Sequence, residues 1–519
     1  MALTKLQFRP GINRETTSYS NEGGWFDCDK VRFRAGFPEK IGGWAKKAPT
    51  TFLGTCRALH PWVSLQGDKY IGLGTHLKYY IEEGGGYNDI TPIRETTSAG
   101  DVTFSATDGS TLITVTDIAH GALENDFVTF SGATSLGGAI TADVLNQEYQ
   151  ITSVLSNDAY TITSAVTANS SDTGDGGASV VGEYQINVGL DLTITGNGWG
   201  AGFWSRGAWG SGTSLTAVSD ILRLWSHDNF GEDLIINVRN GGIYYWDKTS
   251  TLQNRAIALS DLSGADEFTP TRAKQVIVSD RDRHVIVFGT DPLDDIGSLD
   301  PLLIRFSDQE DPLTWFPRAE NTAGDLRISS GSEIICAIET RQQILVWTDV
   351  SLHSMQFLGA PFTFGIDQIS NNTTIMSPNA AVAVDDLVYW MGAQDFYAYD
   401  GRIKKLPCSV KEYVFGDFND EQAEKVQSGL NSSFNEIWWF YPSSDSDEND
   451  RYVIYNYLQD IWYYGTLERT AWIDRGINEY PISANSGSLY LHEIGYNDGS
   501  TTPASPITSY IESSQVDIS

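Results

Sequence analysis

The chain has 519 residues, with 34 Lys and Arg against 67 Asp and Glu, giving a formal net charge of −33 and a pI near 4.4. That length is enough for a hydrophobic core without staples, and the charge repels phosphate and argues against wrapping duplex DNA on a basic patch. The four cysteines, Cys28, Cys56, Cys336 and Cys408, are far apart with no CxxC spacing, so they read as free thiols of a protein made in a reducing compartment. Helical periodicity is almost absent, and 50 glycines with 12% aromatic residues point to strands and turns.

Residues 1–50 read as an arm followed by a strand pair that joins the propeller. No apolar leader core is visible over residues 1–10, and no apolar run in the chain approaches the ~18 residues of a membrane span. Residues 30–34 (KVRFR) alternate, residues 35–38 turn, and residues 40–44 continue the pattern. Lys30, Arg32, Arg34, Lys40 and Lys46 concentrate cations in an otherwise acidic chain. Lys30, Arg32 and Arg34 are therefore candidate contacts for an acidic partner, including another copy of the chain, with a solvated strand face as the plain alternative.

Residues 51–94 hold the first of a series of hairpins: residues 69–73 (KYIGL) turn at Gly74 and return over residues 77–81 (LKYYI). From residue 95 to 189 the texture changes to Thr, Ser, Ala and Gly between short alternating runs such as residues 112–115, 127–130 and 160–163, with no lysine or arginine. That pattern predicts a small β-barrel or sandwich inserted into a loop of the larger fold. Residues 196–213 (GNGWGAGFWSRGAWGSGT) form a Gly/Trp tract whose Trp199, Trp204 and Trp209 are further candidate contacts. Such aromatics stack on sugars or bases, or pack a tight loop against a sheet or a neighbouring subunit.

The hairpins resume at residues 234–238 with 243–246, then 285–288 with 302–306, 343–347 with 351–357, 387–390 with 396–399, and 437–440 with 452–455, closing at 488–492. Short runs rich in Val, Tyr and Trp between Gly, Asp and Asn are strands of a buried sheet. Outgoing strands about 40–60 residues apart match the period of propeller blades. The fold class is therefore all-β, a β-propeller of six or seven blades occupying residues 51–94 and 190–519. One helix is predicted, over residues 419–430.

Seven scattered histidines accompany no HExxH, GxSxG or phosphate-loop pattern. Residues 306–315 (FSDQEDPLTW) resemble the Asp-box turn of sialidase propellers without its glycine, so Asp308, Glu310 and Asp311 read as turn-formers. Residues 445–450 (DSDEND) open like a calcium loop but carry Asp450 where glycine is required and Asn456 where glutamate is required. No catalytic residue, cofactor or metal ligand is assigned, and the chain reads as a non-enzyme.

Residues 305–401, with RFSDQEDPLTW, GSEIICAIETRQQILVWTDVSLHSMQFLGAPFTFGIDQIS and SPNAAVAVDDLVYWMGAQDFYAYDG, are similar to the tail hub or nozzle proteins of tailed bacteriophages, a group that includes packaged-DNA-stabilising proteins. Residues 11–44 (GINRETTSYSNEGGWFDCDKVRFRAGFPEKIGGW) resemble the opening of the same group. The resemblance implies a virion tail subunit, made in the host cytoplasm, that assembles as a ring, typically a homohexamer. Its implied partners are copies of itself, the portal or adaptor ring, tail fibres, and double-stranded DNA that passes without tight binding. A receptor- or glycan-binding tail propeller is the alternative, and a glycan hydrolase a more distant one. The insertion has no counterpart in the resemblance, and a closing strand or further domain is expected from outside the run that ends near residue 512.

Overall fold

The computed structural model describes residues 7–194, 221–359, 361–499 and 502–516, without the side chains of residues 173–175. Seven four-stranded antiparallel blades follow one another around an axis. The first comprises Cys56–Val63, Lys69–Thr75, Tyr79–Glu83 and Gly86–Asp89, and the second Trp225–Phe230, Asp233–Val238, Ile243–Trp246 and Ile257–Ala258. The third comprises Ala273–Val278, Val285–Thr290, Asp300–Phe306 and Gly324–Arg327, and the fourth Ile334–Glu339, Ile344–Thr348, Leu352–Gly359 and Thr363–Ser370. The fifth runs Ala381–Val384, Leu387–Met391, Phe396–Tyr399 and Ile403–Leu406, and the sixth Gln427–Asn431, Glu436–Pro442, Asn449–Asn456 and Ile461–Thr466.

The seventh blade joins the two ends of the chain. Ala471–Ile473, Ile482–Ala484 and Leu489–His492 supply three strands, and Trp44–Lys46 adds the fourth, with Leu491 opposite Ala45. The chain's own N-terminal segment thus supplies the strand that closes the ring. Asn497–Gly499 extends this sheet in parallel with Trp44–Lys46. Trp25–Asp29 pairs with Tyr510–Ser513, and the Asn21 amide donates to Ser514 Oγ at 2.8 Å, so the seam is stitched repeatedly.

Middle strands are sandwiched between neighbouring blades, which is why they are continuous apolar runs. Residues 437–440 and 452–454 are at most 1% exposed, and aromatic packing dominates there, as in the 4.9 Å approach of Phe396 to Trp439. Two seams use one device. Gly74 leaves room for the Trp225 ring, whose Nε1 donates to Thr75 O at 2.8 Å, and Gly429 does the same for Trp472, which donates to Leu430 O at 2.9 Å. A side chain at either glycine would meet the indole, so these positions need glycine for close approach.

Residues 93–185 fold between the first and second blades as a single eight-stranded sheet with its own core, including Phe104, Val115, Phe130, Ile151 and Tyr160. Ile93 lies opposite Gln185, so the two ends of this unit are adjacent. At its root, Lys78 Nζ donates to Asp89 at 2.8 Å and to Glu148 at 2.6 Å, and Asp126 accepts from Val188 N at 2.8 Å. The helix predicted over residues 419–430 is reduced to a 3-10 turn, Asp420–Lys425, capped by Asn419. Gln427–Asn431 is drawn instead into the innermost strand of the sixth blade, where tertiary pairing overrides local propensity. A short α-helix lies just before it at Lys411–Gly416.

Candidate functional site: the propeller axis

Each blade offers its first strand to the axis. These innermost strands are too splayed to share a ladder, and side chains bridge them. Ser226 Oγ accepts from Val276 N at 2.9 Å, and the Gln275 amide both donates to Ala337 O and accepts from Ala337 N, each at 2.7 Å. Ser428 Oγ donates to Asn379 O and Ala381 O, both at 2.8 Å. The result is an axial hollow of about 290 Å³ in one part and 390 Å³ in another, with Trp472 and Gln275 lining both.

The two ends of the axis differ in charge, and the strand direction explains how. Innermost strands all start on one face, here termed the entry face, where Arg57, Lys274 and Lys425 sit within two residues of strand starts. Arg57 donates to Glu448 at 2.8 Å and to Asp191 at 2.6 Å, Lys425 pairs with the same Glu448, and Lys274 pairs with Glu333. Arg239, in the turn after Asp233–Val238, reaches Ile335 O at 2.9 Å. Burial raises the Asp191 carboxyl, but Arg57 beside it outweighs this and holds it below the usual range.

Where the strands finish, carboxylates face the axis. Asp228 accepts from Val278 N at 2.8 Å, and Glu339 accepts from Asp280 N at 3.2 Å, so each acid caps the seam to the third blade. Burial, reinforced by Asp280, pushes the Glu339 carboxyl up to about 7. Burial also raises Asp228, and it lowers His227 well below its ordinary value, with the His60 ring 5.0 Å away adding to the effect. Displaced acids in a cleft are the pattern of an acid–base site. Here their hydrogen bonds go to the backbone of an adjoining blade, which is a positioning role. The four thiols are pushed up to about 12 by burial, so they are held in the protonated, unreactive form.

The partner-contact candidates separate. Arg32 is turned inward, with its side chain 2% exposed. Its guanidinium donates to Glu436 at 2.9 and 3.0 Å and to Glu493 at 2.8 and 2.6 Å, and lies 3.5 Å from the Phe434 ring centre. The expectation of a surface contact is corrected for this residue: its acidic partners belong to the same chain, because the hairpin folds back over the seam. Lys30 is tied to Asp29 at 2.7 Å and to Thr466 Oγ1 at 2.9 Å. Arg34 is exposed beside an open hollow that Lys40 and Tyr496 also line. Trp199, Trp204 and Trp209 lie outside the described residues.

The turn-forming acids behave as turn-formers. Asp308 accepts from Thr322 N at 2.8 Å and Gln309 N at 2.9 Å, and Asp311 accepts from Leu313 N at 2.9 Å. The axial cations were not singled out in the sequence. The available signal was that Arg57, Lys274 and Lys425, in a chain poor in cations, each stand at the start of a strand that the hairpin pattern skipped.

No family model and no curated protein matches the sequence. Among solved structures, the chain is similar to Hsv2 from Kluyvelomyces marxianus, with a TM-score of 0.32, 7% identity, and coverage of 57% of this chain and 82% of that one. It is also similar to BamB from Moraxella catarrhalis, with a TM-score of 0.29, 11% identity, and coverage of 56% and 77%. These likenesses are too low to carry an argument, and the seven-bladed architecture rests on the strand pairing itself.

Proposed function

We propose that this chain is a structural subunit of a bacteriophage tail, a nozzle or hub component whose copies form a ring around the DNA exit path. The observation that carries the reading is where the tail-protein resemblance falls in the fold. Residues 305–401 run from the third blade through the whole fourth blade and most of the fifth, and residues 11–44 hold the arm, the Arg32 hairpin and the start of the closing strand. The resemblance therefore covers the scaffold and its clasp, the parts a load-bearing ring needs.

The propeller's own axis is not the DNA path. Its hollows hold about 290 and 390 Å³ and are lined by side chains that include Trp472 and Gln275, which is little room for a duplex whose major groove alone is about 12 Å wide. A conduit for duplex DNA is formed between copies, with the net charge of −33 keeping phosphate from adhering to its wall. The chain would meet the portal or adaptor ring at one end of that conduit and other tail parts at the other.

The test is the mass and shape of the purified full chain by light scattering and electron microscopy, together with antibody labelling of phage particles that carry it. A closed ring and label at the tail tip are expected. A monomer at all concentrations, with no label on the tail, overturns the reading. A glycan array with intact protein checks the receptor-binding alternative, which requires binding that disappears when Trp204 and Trp209 are replaced.

A further inference from the structure

Four cations converge on the entry face of the axis in a chain whose net charge is −33: Arg57, Arg239, Lys274 and Lys425. Three are matched by carboxylates, Arg57 and Lys425 through Asp191 and Glu448, and Lys274 through Glu333. Arg239 is not. Among the described residues no carboxylate lies within 4 Å of it, and its one protein acceptor is Ile335 O, met by Nη1 at 2.9 Å. A guanidinium has five N–H donors in a fixed fork, so most of this one is uncommitted.

Arg239 lines the axial hollow of about 290 Å³ together with Lys274, which is 5% exposed, and Asn379. The Asn379 side-chain amide has no hydrogen-bond partner among the described residues. Burial and then the charge of Arg239 lower the Lys274 ammonium below its ordinary value, so two like charges are crowded at one wall. Glu333 offsets part of that repulsion from the Lys274 side, and an anion between the two cations would offset the rest.

We propose that the entry-face end of the axial cavity binds a small oxyanion, held in the fork of Arg239 with Lys274 and Asn379 beside it. The planar fork matches two oxygens of a phosphate or carboxylate, and charge-assisted bonds of this kind are the strong ones. The volume is at the small end of ligand pockets, which suits inorganic phosphate or a compact organic acid and excludes a nucleic-acid strand. This inference does not depend on the tail assignment.

The test is calorimetric titration of the intact chain with inorganic phosphate and, separately, acetate, at fixed ionic strength with chloride as background. Saturable binding of at least one is expected, and the stronger binder identifies which oxyanion the site takes. Arg239→Gln should weaken binding at least tenfold, and Arg239→Lys should fall between, because it keeps the charge and loses the fork. Absence of saturable binding in the parent, or equal binding by Arg239→Gln, overturns the proposal. Should Arg239→Gln fail to fold, the parent crystal soaked in phosphate and in acetate decides. Density between Arg239 and Lys274 supports the site, and an empty cavity at saturating concentration sinks it.

Discussion

Replacing Arg32 separates a structural role from a surface role. Its guanidinium gives four hydrogen bonds to two carboxylates, of which Glu436 is 0% and Glu493 15% exposed. Burial acts to lower the Arg32 pKa, and the two carboxylates outweigh it, so the side chain is charged at every working pH. Arg32→Ala leaves Glu436 buried without its cation, although Trp438 Nε1, Tyr463 Oη and Asn431 Nδ2 still donate to it. Breaking a buried pair from one side costs about 3–5 kcal/mol, and loss of the stacking on Phe434 adds up to about 1–2 kcal/mol. Equilibrium urea unfolding followed by tryptophan fluorescence should show the midpoint fall with the slope unchanged. Raising salt should alter the difference little, because buried pairs are poorly screened. A double variant, Arg32→Met with Glu436→Gln, should regain part of the loss by removing the stranded charge. If Arg32→Ala unfolds within about 0.5 kcal/mol of the parent, the spread of an ordinary surface substitution, the clasp argument is wrong; if the same variant also assembles differently, Arg32 is a partner contact after all.

The other predictions concern pH, the insertion and closure. Glu339 has a folded-state pKa raised to about 7, so its contribution to stability is full below its unfolded value and is lost as pH rises through the folded one. Thermal midpoints should therefore decline between about pH 4.5 and 7, and Glu339→Gln should flatten that part of the profile and exceed the parent at pH 8. Excising residues 94–184 and joining the adjacent ends with a short glycine linker should leave a folded propeller by circular dichroism. It should be weakened by about 1–3 kcal/mol, because Lys78 keeps Asp89 and loses Glu148; an unfolded product would show that the sheet of residues 93–185 is part of the propeller's core. Removing residues 1–46 takes away the fourth strand of the seventh blade, and should yield an aggregating product with an exposed edge beside Leu489–His492. A soluble monomer with the parent's thermal midpoint would refute closure by this strand.

What could be read in the sequence follows from which strands are buried on both faces. The hairpin pattern located the second and third strands of nearly every blade: residues 387–390 and 396–399 correspond to Leu387–Met391 and Phe396–Tyr399, and residues 437–440 and 452–455 fall inside Glu436–Pro442 and Asn449–Asn456. Such strands are held between blades, so their side chains are apolar on both sides and stand out. First strands were missed because they face a polar axis. Gln275, Ser226 and Gln427 belong to that lining, and a strand such as Ala273–Val278 carries Lys and Gln among its apolar residues. Last strands were missed because they are short and exposed, as in Ile257–Ala258 and Ile403–Leu406. The axial site shares this obscurity: Arg57, Arg239 and Lys274 come from three blades, and only closure of the ring brings them to one cavity. Arg32 misled for a related reason, since alternation in KVRFR indicates two faces and does not reveal that glutamates more than 400 residues away cover one of them.

A closed propeller is weakest where its chain ends meet, because there a blade is held by pairing alone and not by a covalent turn. In this chain that seam carries an unusual share of long-range connections. Trp44–Lys46 pairs with Leu489–His492 on one side and Asn497–Gly499 on the other, Trp25–Asp29 pairs with Tyr510–Ser513, and Arg32 bridges Glu436 of the sixth blade to Glu493 beyond the seventh. Each spans several hundred residues, so each forms late and is entropically costly to nucleate. Once formed, they must all break before the ring can open, and interactions made after the folding transition state slow unfolding without hastening folding. The placement of these contacts favours resistance to opening over speed of assembly, which is a kinetic form of stability.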